Sequence, residues 1–219
     1  MKNNRFGQSE ALSKAEFLTV LNSFEEEKHR LILSLCWYTT ERPGAILQLQ
    51  VSHCYKDPGF RIPLPKILIP GDIRKDGRSR ELPLHPDLGR ELRAYQPPGA
   101  GYLFPGRGGS GHLTFSAWYK LLGSKFDALG MRGYSTYSTR RGSITVLARA
   151  GLSPKAICEV TGQSINTVQR YIDATESEQD LRTDHEKPSG WTIFGGAPRP
   201  QKSSNCVSPA EISQAIAFL

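Results

Sequence analysis

YSTRRGSITVLARAGLSPKAICEVTGQSINTVQRYI, Tyr137 to Ile172, is the stretch on which the reading of this chain turns. Glycines at 151 and 162 divide it into three helical runs. Taken alone, the last two runs have the pattern of a helix-turn-helix. Ala156, Ile157 and Val160 would pack against Ile165, Val168 and Tyr171 across a glycine-containing turn. Tyr171 would then be a core residue, and Ser164, Asn166, Thr167 and Arg170 would face DNA. Whether Tyr171 is core or a nucleophile depends on the rest of the chain.

Toward the N-terminus, TFSAWYKLLGSKFDALG reads as a helix, PPGAGYLFPGRGGSG as a loop and HPDLGRELRAY as another helix. Between Arg61 and Leu84 the period changes, and KILIPGDIRKDGRSRELPL predicts two β-runs around a tight turn at Asp76-Gly77 with a strongly basic tip. TTERPGAILQLQVSHC opens on a Pro-Gly break and continues into a short helix with Arg42 at its start. A helix is expected from about Glu26 to Tyr38, and one before it is capped by Ser13 with Glu16 three residues on. Past about Ser177 the chain turns polar and rich in Pro, Gly and Ser. It ends in SPAEISQAIAFL, where Ser208, Pro209 and Glu211 form a capping box and Ile212, Ala215, Ile216 and Leu219 share a face.

A chain of 219 residues accommodates one domain with a tail, or two small domains. The formal charge of +7, from 28 Lys+Arg against 21 Asp+Glu, favours a polyanionic partner, nucleic acid before membrane surface. No membrane span or signal-peptide core is present, so a soluble, cytoplasmic, nucleoid-associated chain is expected. Cys36, Cys54, Cys158 and Cys206 are scattered and the five histidines do not cluster, which argues against a metal site.

The ordered series Arg42, Lys75 at a β-hairpin, Tyr137-Ser-Thr-Arg140, Gly162-Gln163, Tyr171 resembles the catalytic domain of the tyrosine recombinases, the phage-integrase family. There the series is arginine, hairpin lysine, His-x-x-Arg, Gly-His or Gly-Trp, tyrosine. RKDGRSRELPLHPDL is similar to the family's hairpin, Pro-Leu exit and helix, and YLFPGRGG to its Phe-Pro loop. Arg140 precedes Gly151 by eleven residues and Gly162 by twenty-two; choosing Arg141 shifts both spacings by one. The resemblance implies a mainly α fold with a small antiparallel β-sheet, in an N-terminal arm (1–11), a catalytic domain (12–176) and a flexible tail (177–219) ending in a helix at about 208–219.

The resemblance also implies a site-specific recombinase that cleaves and rejoins double-stranded DNA through a 3′-phosphotyrosine, without metal, ATP or other cofactor. Tyr171 would be the nucleophile, Arg42 and Arg140 the phosphate ligands, and Lys75 the acid that protonates the 5′ leaving oxygen. Tyr137 and Gln163 stand where most members have histidine, and histidine or tryptophan. Each can donate a hydrogen bond, but a phenol near its ordinary pKa of about 10 is a poor base at neutral pH. Arg74, Arg78, Arg80, Arg141 and Arg170 are the expected DNA contacts. Ala45 replaces the acid usual three residues after the first arginine, and the Gly162-to-Tyr171 spacing is one residue shorter than in many relatives.

Typical members carry a further helical clamp domain. With about a dozen residues ahead of the catalytic domain, DNA grip is expected to be weaker or supplied by an accessory DNA-binding protein. The resemblance implies a homotetramer on synapsed DNA, and a monomer or weak oligomer when free. The final helix would dock on a neighbouring protomer or fold back on its own domain. Two alternatives stay open: an integrase relative that binds DNA without cutting it, and a helix-turn-helix regulator.

Overall fold

Ser13 closes the expected capping box. Its hydroxyl accepts from the Glu16 amide at 3.2 Å and the Glu16 carboxylate accepts from the Ser13 amide at 2.7 Å, which starts α1 (Lys14–Asn22). These coordinates are a computed structural model that describes residues 9–109, 111–172, 216–217 and 219. The spine is α2 (Glu27–Tyr38), where Leu31, Ile32, Leu33, Leu35 and Trp37 are wholly buried. A helix apolar around its whole circumference must be enclosed, and α1, α3 (Pro43–Ile46), α4 (Pro86–Ala94) and α6 (Ser138–Arg149) all pack on it. Phe17 of α1 stacks on Trp37 with ring centroids 4.4 Å apart.

Two features of α2 bear on the site. At its C-terminus Thr40 sits in the left-handed region, φ 55°, which is costly for a β-branched residue. That turn directs the chain inward at Glu41, which is 1% exposed. Facing α2, Gly142 of α6 has no room for a side chain. A Cβ there would stand 2.1 Å from the Leu12 carbonyl oxygen and 2.8 Å from the Trp37 ring.

Four short strands form two antiparallel ladders, β1 (Tyr55–Asp57) with β2 (Ile62–Pro63) and β3 (Lys66–Ile69) with β4 (Arg80–Pro83). The mainly helical class with small antiparallel sheets is as the sequence implied. The tight turn is not. Ile69 pairs with Arg80, so residues 70–79 form a long connection containing a short 3₁₀ turn, Gly71–Ile73, with Asp76-Gly77 inside it. Pro70 lacks the N–H that would extend the ladder, and a side chain closes the loop instead. The Arg74 guanidinium donates to the Arg78 carbonyl at 2.5 Å and pairs with Asp76 at 3.1 Å.

Beyond α5 (Phe115–Ala128) and α6, Ser153 caps α7 (Pro154–Thr161), which ends at Gly162 with φ 63°. The helix α8 follows over 165–172. In this pair Ala156, Ile157, Val160 and Val168 are buried, whereas Ile165, expected in the helix-turn-helix core, is 50% exposed. Ile216 and Leu219 are buried, and the Trp37 indole donates to the Leu219 carbonyl at 3.1 Å. The capping box at Ser208 and Glu211, Ile212, Ala215, Cys206 and most of the N-terminal arm lie outside the described residues. No helix among the described residues is long and apolar enough to cross a membrane.

Because Gly142 meets backbone rather than a flexible side-chain tip, Gly142→Ala is expected to lower stability by about 2 kcal/mol through overpacking. The check is the urea midpoint, which should fall with an unchanged m-value.

Candidate active site

The strongest electrostatic feature of the interior is a single carboxylate among three guanidinium groups. Glu41 Oε1 accepts from Arg140 Nη1 at 3.0 Å and from the Arg42 backbone amide at 2.9 Å. Its Oε2 accepts from Arg74 Nε at 3.0 Å and lies 3.4 Å from Arg80 Nη2. The side chains of Arg74, Arg80 and Arg140 are 4%, 10% and 4% exposed. Burial pushes the Glu41 carboxyl upward, but Arg140, Arg80, the Arg42 amide and Arg74 outweigh it and hold it below its ordinary value. Burial lowers the Arg80 guanidinium to about 10 and lowers Arg140 as well, against the pull of Glu41; both stay charged at neutral pH.

Two of these guanidiniums also terminate α7. Arg80 Nη1 donates to the Val160 carbonyl at 2.5 Å, and Arg140 Nη2 donates to the Thr161 carbonyl at 3.1 Å. The last carbonyls of a helix lack intrahelical donors and carry the negative end of its dipole, so cations satisfy them twice over. Immediately beyond, a Cβ on Gly162 would stand 2.3 Å from Arg74 Nη2. The glycine between α7 and α8 is thus required by positive φ and by the arginine packed on it.

A cleft of about 450 Å³ opens above the cluster, and its lining includes Glu41, Arg42, Lys75, Phe115 and Tyr137. It brings together three of the residues expected from the sequence. Arg42, the N-cap of α3, is partly exposed, Lys75 is exposed on the β3–β4 connection, and Tyr137 at the start of α6 is 47% exposed. Arg140 lies behind them, close enough to Arg42 and Tyr171 to interact electrostatically with both. Of the adjacent arginines, Arg140 enters the Glu41 cluster, while Arg141 lies over the Tyr171 ring, 5.6 Å from its centroid, and donates to the Ser9 carbonyl. Gln163 sits in the α7–α8 turn with its amide nitrogen buried and without a hydrogen-bond partner among the described residues.

The expected DNA contacts divide. Arg78 and Arg170 are exposed. Arg74 and Arg80 instead turn inward onto Glu41. Glu41 itself went unread in the sequence, since an acid beside an arginine carries no periodicity or motif of its own. No group of three or more His, Cys, Asp or Glu residues among those described is placed to hold a metal ion.

Neither a protein-family model nor a curated protein matches the chain by sequence. Solved structures do match it by shape. XerH site-specific recombinase bound to palindromic difH substrate superposes with a TM-score of 0.63 at 20% identity, covering 83% of this chain and 55% of XerH. The fold is that of the integrase catalytic core. XerA recombinase gives a TM-score of 0.61 at 19% identity, over 83% of this chain and 67% of XerA. The integrase from mycobacterium phage Brujita gives 0.54 at 20%, over 76% of this chain and 56% of that integrase. The chain therefore spans little more than half the length of several integrase-fold proteins it matches.

The depressed Glu41 carboxyl fixes the sign of a pH effect. A carboxylate whose folded pKa lies below its unfolded value, about 4.3, contributes stability that is complete above that value and is lost as pH falls through the folded pKa. Glu41→Gln should cost about 3 kcal/mol at pH 7, because it strands buried cations. Urea denaturation across pH 6 to 3 should find that difference narrowing below about pH 4, where the wild-type carboxyl takes up its own proton.

Proposed function

We propose that the chain is a site-specific DNA recombinase of the tyrosine recombinase family, acting through a 3′-phosphotyrosine without metal or ATP. The observation that carries this reading is that Arg42, Lys75 and Tyr137, far apart in sequence, share one cleft, and that Arg140 interacts electrostatically with both Arg42 and Tyr171. Around the cleft, Arg42, Arg74, Arg80, Arg140 and Lys75 face three carboxylates, Glu41, Asp72 and Asp76. The excess of positive charge suits a phosphodiester, and more so the phosphorane-like transition state, which gains negative charge.

In this mechanism the Tyr171 phenol gives up its proton to water as its oxygen attacks the scissile phosphorus, and the bond to the 5′ oxygen breaks. Lys75 gives that oxygen its proton. Arg42 and Arg140 hold the non-bridging oxygens, and Tyr137 and Gln163 donate hydrogen bonds in place of the family's usual histidines. The phosphotyrosine conserves the bond energy, so attack by a 5′ hydroxyl reverses the step on the same or a partner strand. Arg78 and Arg170, both exposed, would contact DNA phosphates, and the same reading implies assembly of four protomers on synapsed DNA.

The test is covalent trapping in EDTA on nicked or supercoiled DNA from the ends of the encoding element, resolved on a denaturing gel. Wild type should form a protein–DNA adduct and Tyr171→Phe none. Lys75→Ala should slow cleavage at least 100-fold and recover on a 5′-bridging phosphorothiolate, whose sulfur leaves without a proton. Firm binding with no adduct would instead assign the chain as a DNA-binding relative that does not cut.

A further inference from the structure

The Glu41 carboxylate does more than neutralise buried charge. Both its oxygens are occupied, and two of the guanidiniums it holds reach on to Val160 and Thr161, the last two residues of α7. The next residue is Gly162, where a Cβ would stand 2.3 Å from Arg74 Nη2, and then comes α8 with Tyr171. On the other side, Thr40 holds a costly left-handed backbone immediately before Glu41. Arg140 gives one hydrogen bond to Glu41 and one to Thr161, while its buried Nε lacks a partner among the described residues. That leaves Nε–H and further N–H donors for another acceptor.

We propose that Glu41 is a positioning residue for strand cleavage, orienting Arg140 toward the scissile phosphate and, through Arg80 and Arg140, fixing the α7–α8 turn that carries Tyr171. The proposal rests on the recombinase reading for its cleavage consequence but not for its structural one. Ala45, where relatives usually place an acid, is buried and lines the same cleft. In this chain the acid comes from position 41 instead.

Two measurements on the full-length protein test this. In single-turnover cleavage of nicked DNA from the element ends, Glu41→Gln should slow adduct formation at least 30-fold while the Kd for the same DNA changes less than threefold. Glu41→Asp, which keeps the charge on a shorter arm, should recover part of the rate, to within three- to tenfold of wild type. A passive counter-ion predicts otherwise: the folded fraction falls, and rate and affinity fall together. Wild-type rates in Glu41→Gln, or parallel loss of rate and affinity, overturn the proposal. If Glu41→Gln does not fold, Glu41→Asp decides: a three- to tenfold slower rate at unchanged Kd supports positioning, and a wild-type rate overturns it.

Native-state hydrogen exchange is the second measurement and needs no activity. In the folded Glu41 variant, amides across 160–168 should exchange at least tenfold faster relative to those of α2. Uniform acceleration overturns the proposal. If wild type forms no adduct at all, the recombinase reading fails while the exchange result still decides whether Glu41 organises the α7–α8 turn.

Discussion

Three arginines cannot be buried side by side without an anion among them, and Glu41 is that anion. The cost of desolvating four charges is recovered through the hydrogen bonds they make, and here only the Nε groups of Arg80 and Arg140 are buried without a partner among the described residues. The carboxylate oxygens accept three hydrogen bonds and pair with Arg80 at 3.4 Å, and the three guanidiniums spend further N–H groups on the carbonyls of Thr39, Arg78, Val160 and Thr161. One ion cluster thereby ties together the C-terminus of α2, the β3–β4 connection, α6 and the end of α7. Those are four of the segments from which the candidate site is built.

The arrangement separates two jobs that arginines perform in the same small volume. Arg74 and Arg80 are structural: their charge faces inward, one closing a loop and the other capping a helix. Arg42 and Lys75 remain on the cleft wall, unencumbered by the Glu41 carboxylate. Arg140 belongs to both groups, buried in the cluster yet electrostatically close to Arg42 and Tyr171. Beneath the cleft, the guanidiniums of Arg74, Arg80 and Arg140 are thus held in place by Glu41 and by backbone carbonyls.

What the sequence disclosed follows from what is local. The Ser13–Glu16 capping box, the helix breaks at Gly151 and Gly162, and the alternation that makes β3 and β4 strands all depend on residues within a few positions of one another. The series from Arg42 to Tyr171 stood out because its members are chemically distinctive and ordered, and the structure brings Arg42, Lys75 and Tyr137 of it to one cleft. The tight turn at Asp76-Gly77 misled because a dipeptide suited to a hairpin says nothing about Arg74, whose long side chain closes the loop from a distance. The inward aim of Arg74 and Arg80 was hidden for a related reason. Their partner lies 33 and 39 residues away, and a basic cluster on a loop reads as solvent-facing unless the acid that gathers it is known.

The same logic bears on the departures at Ala45, Tyr137 and Gln163. Loss of an acid at 45 looks like decay only if the arginines then lack a carboxylate, and they do not, since Glu41 supplies one from four residues earlier. Tyr137 stays at the cleft wall, where a phenol donates a hydrogen bond as imidazole would but without its charge. Gln163 keeps a buried donor in the turn before α8 that has no acceptor among the described residues, an expensive state unless an incoming anion completes it. On the proposed recombinase reading, two neutral donors beside an over-cationic cluster leave transition-state stabilisation to arginine and lysine.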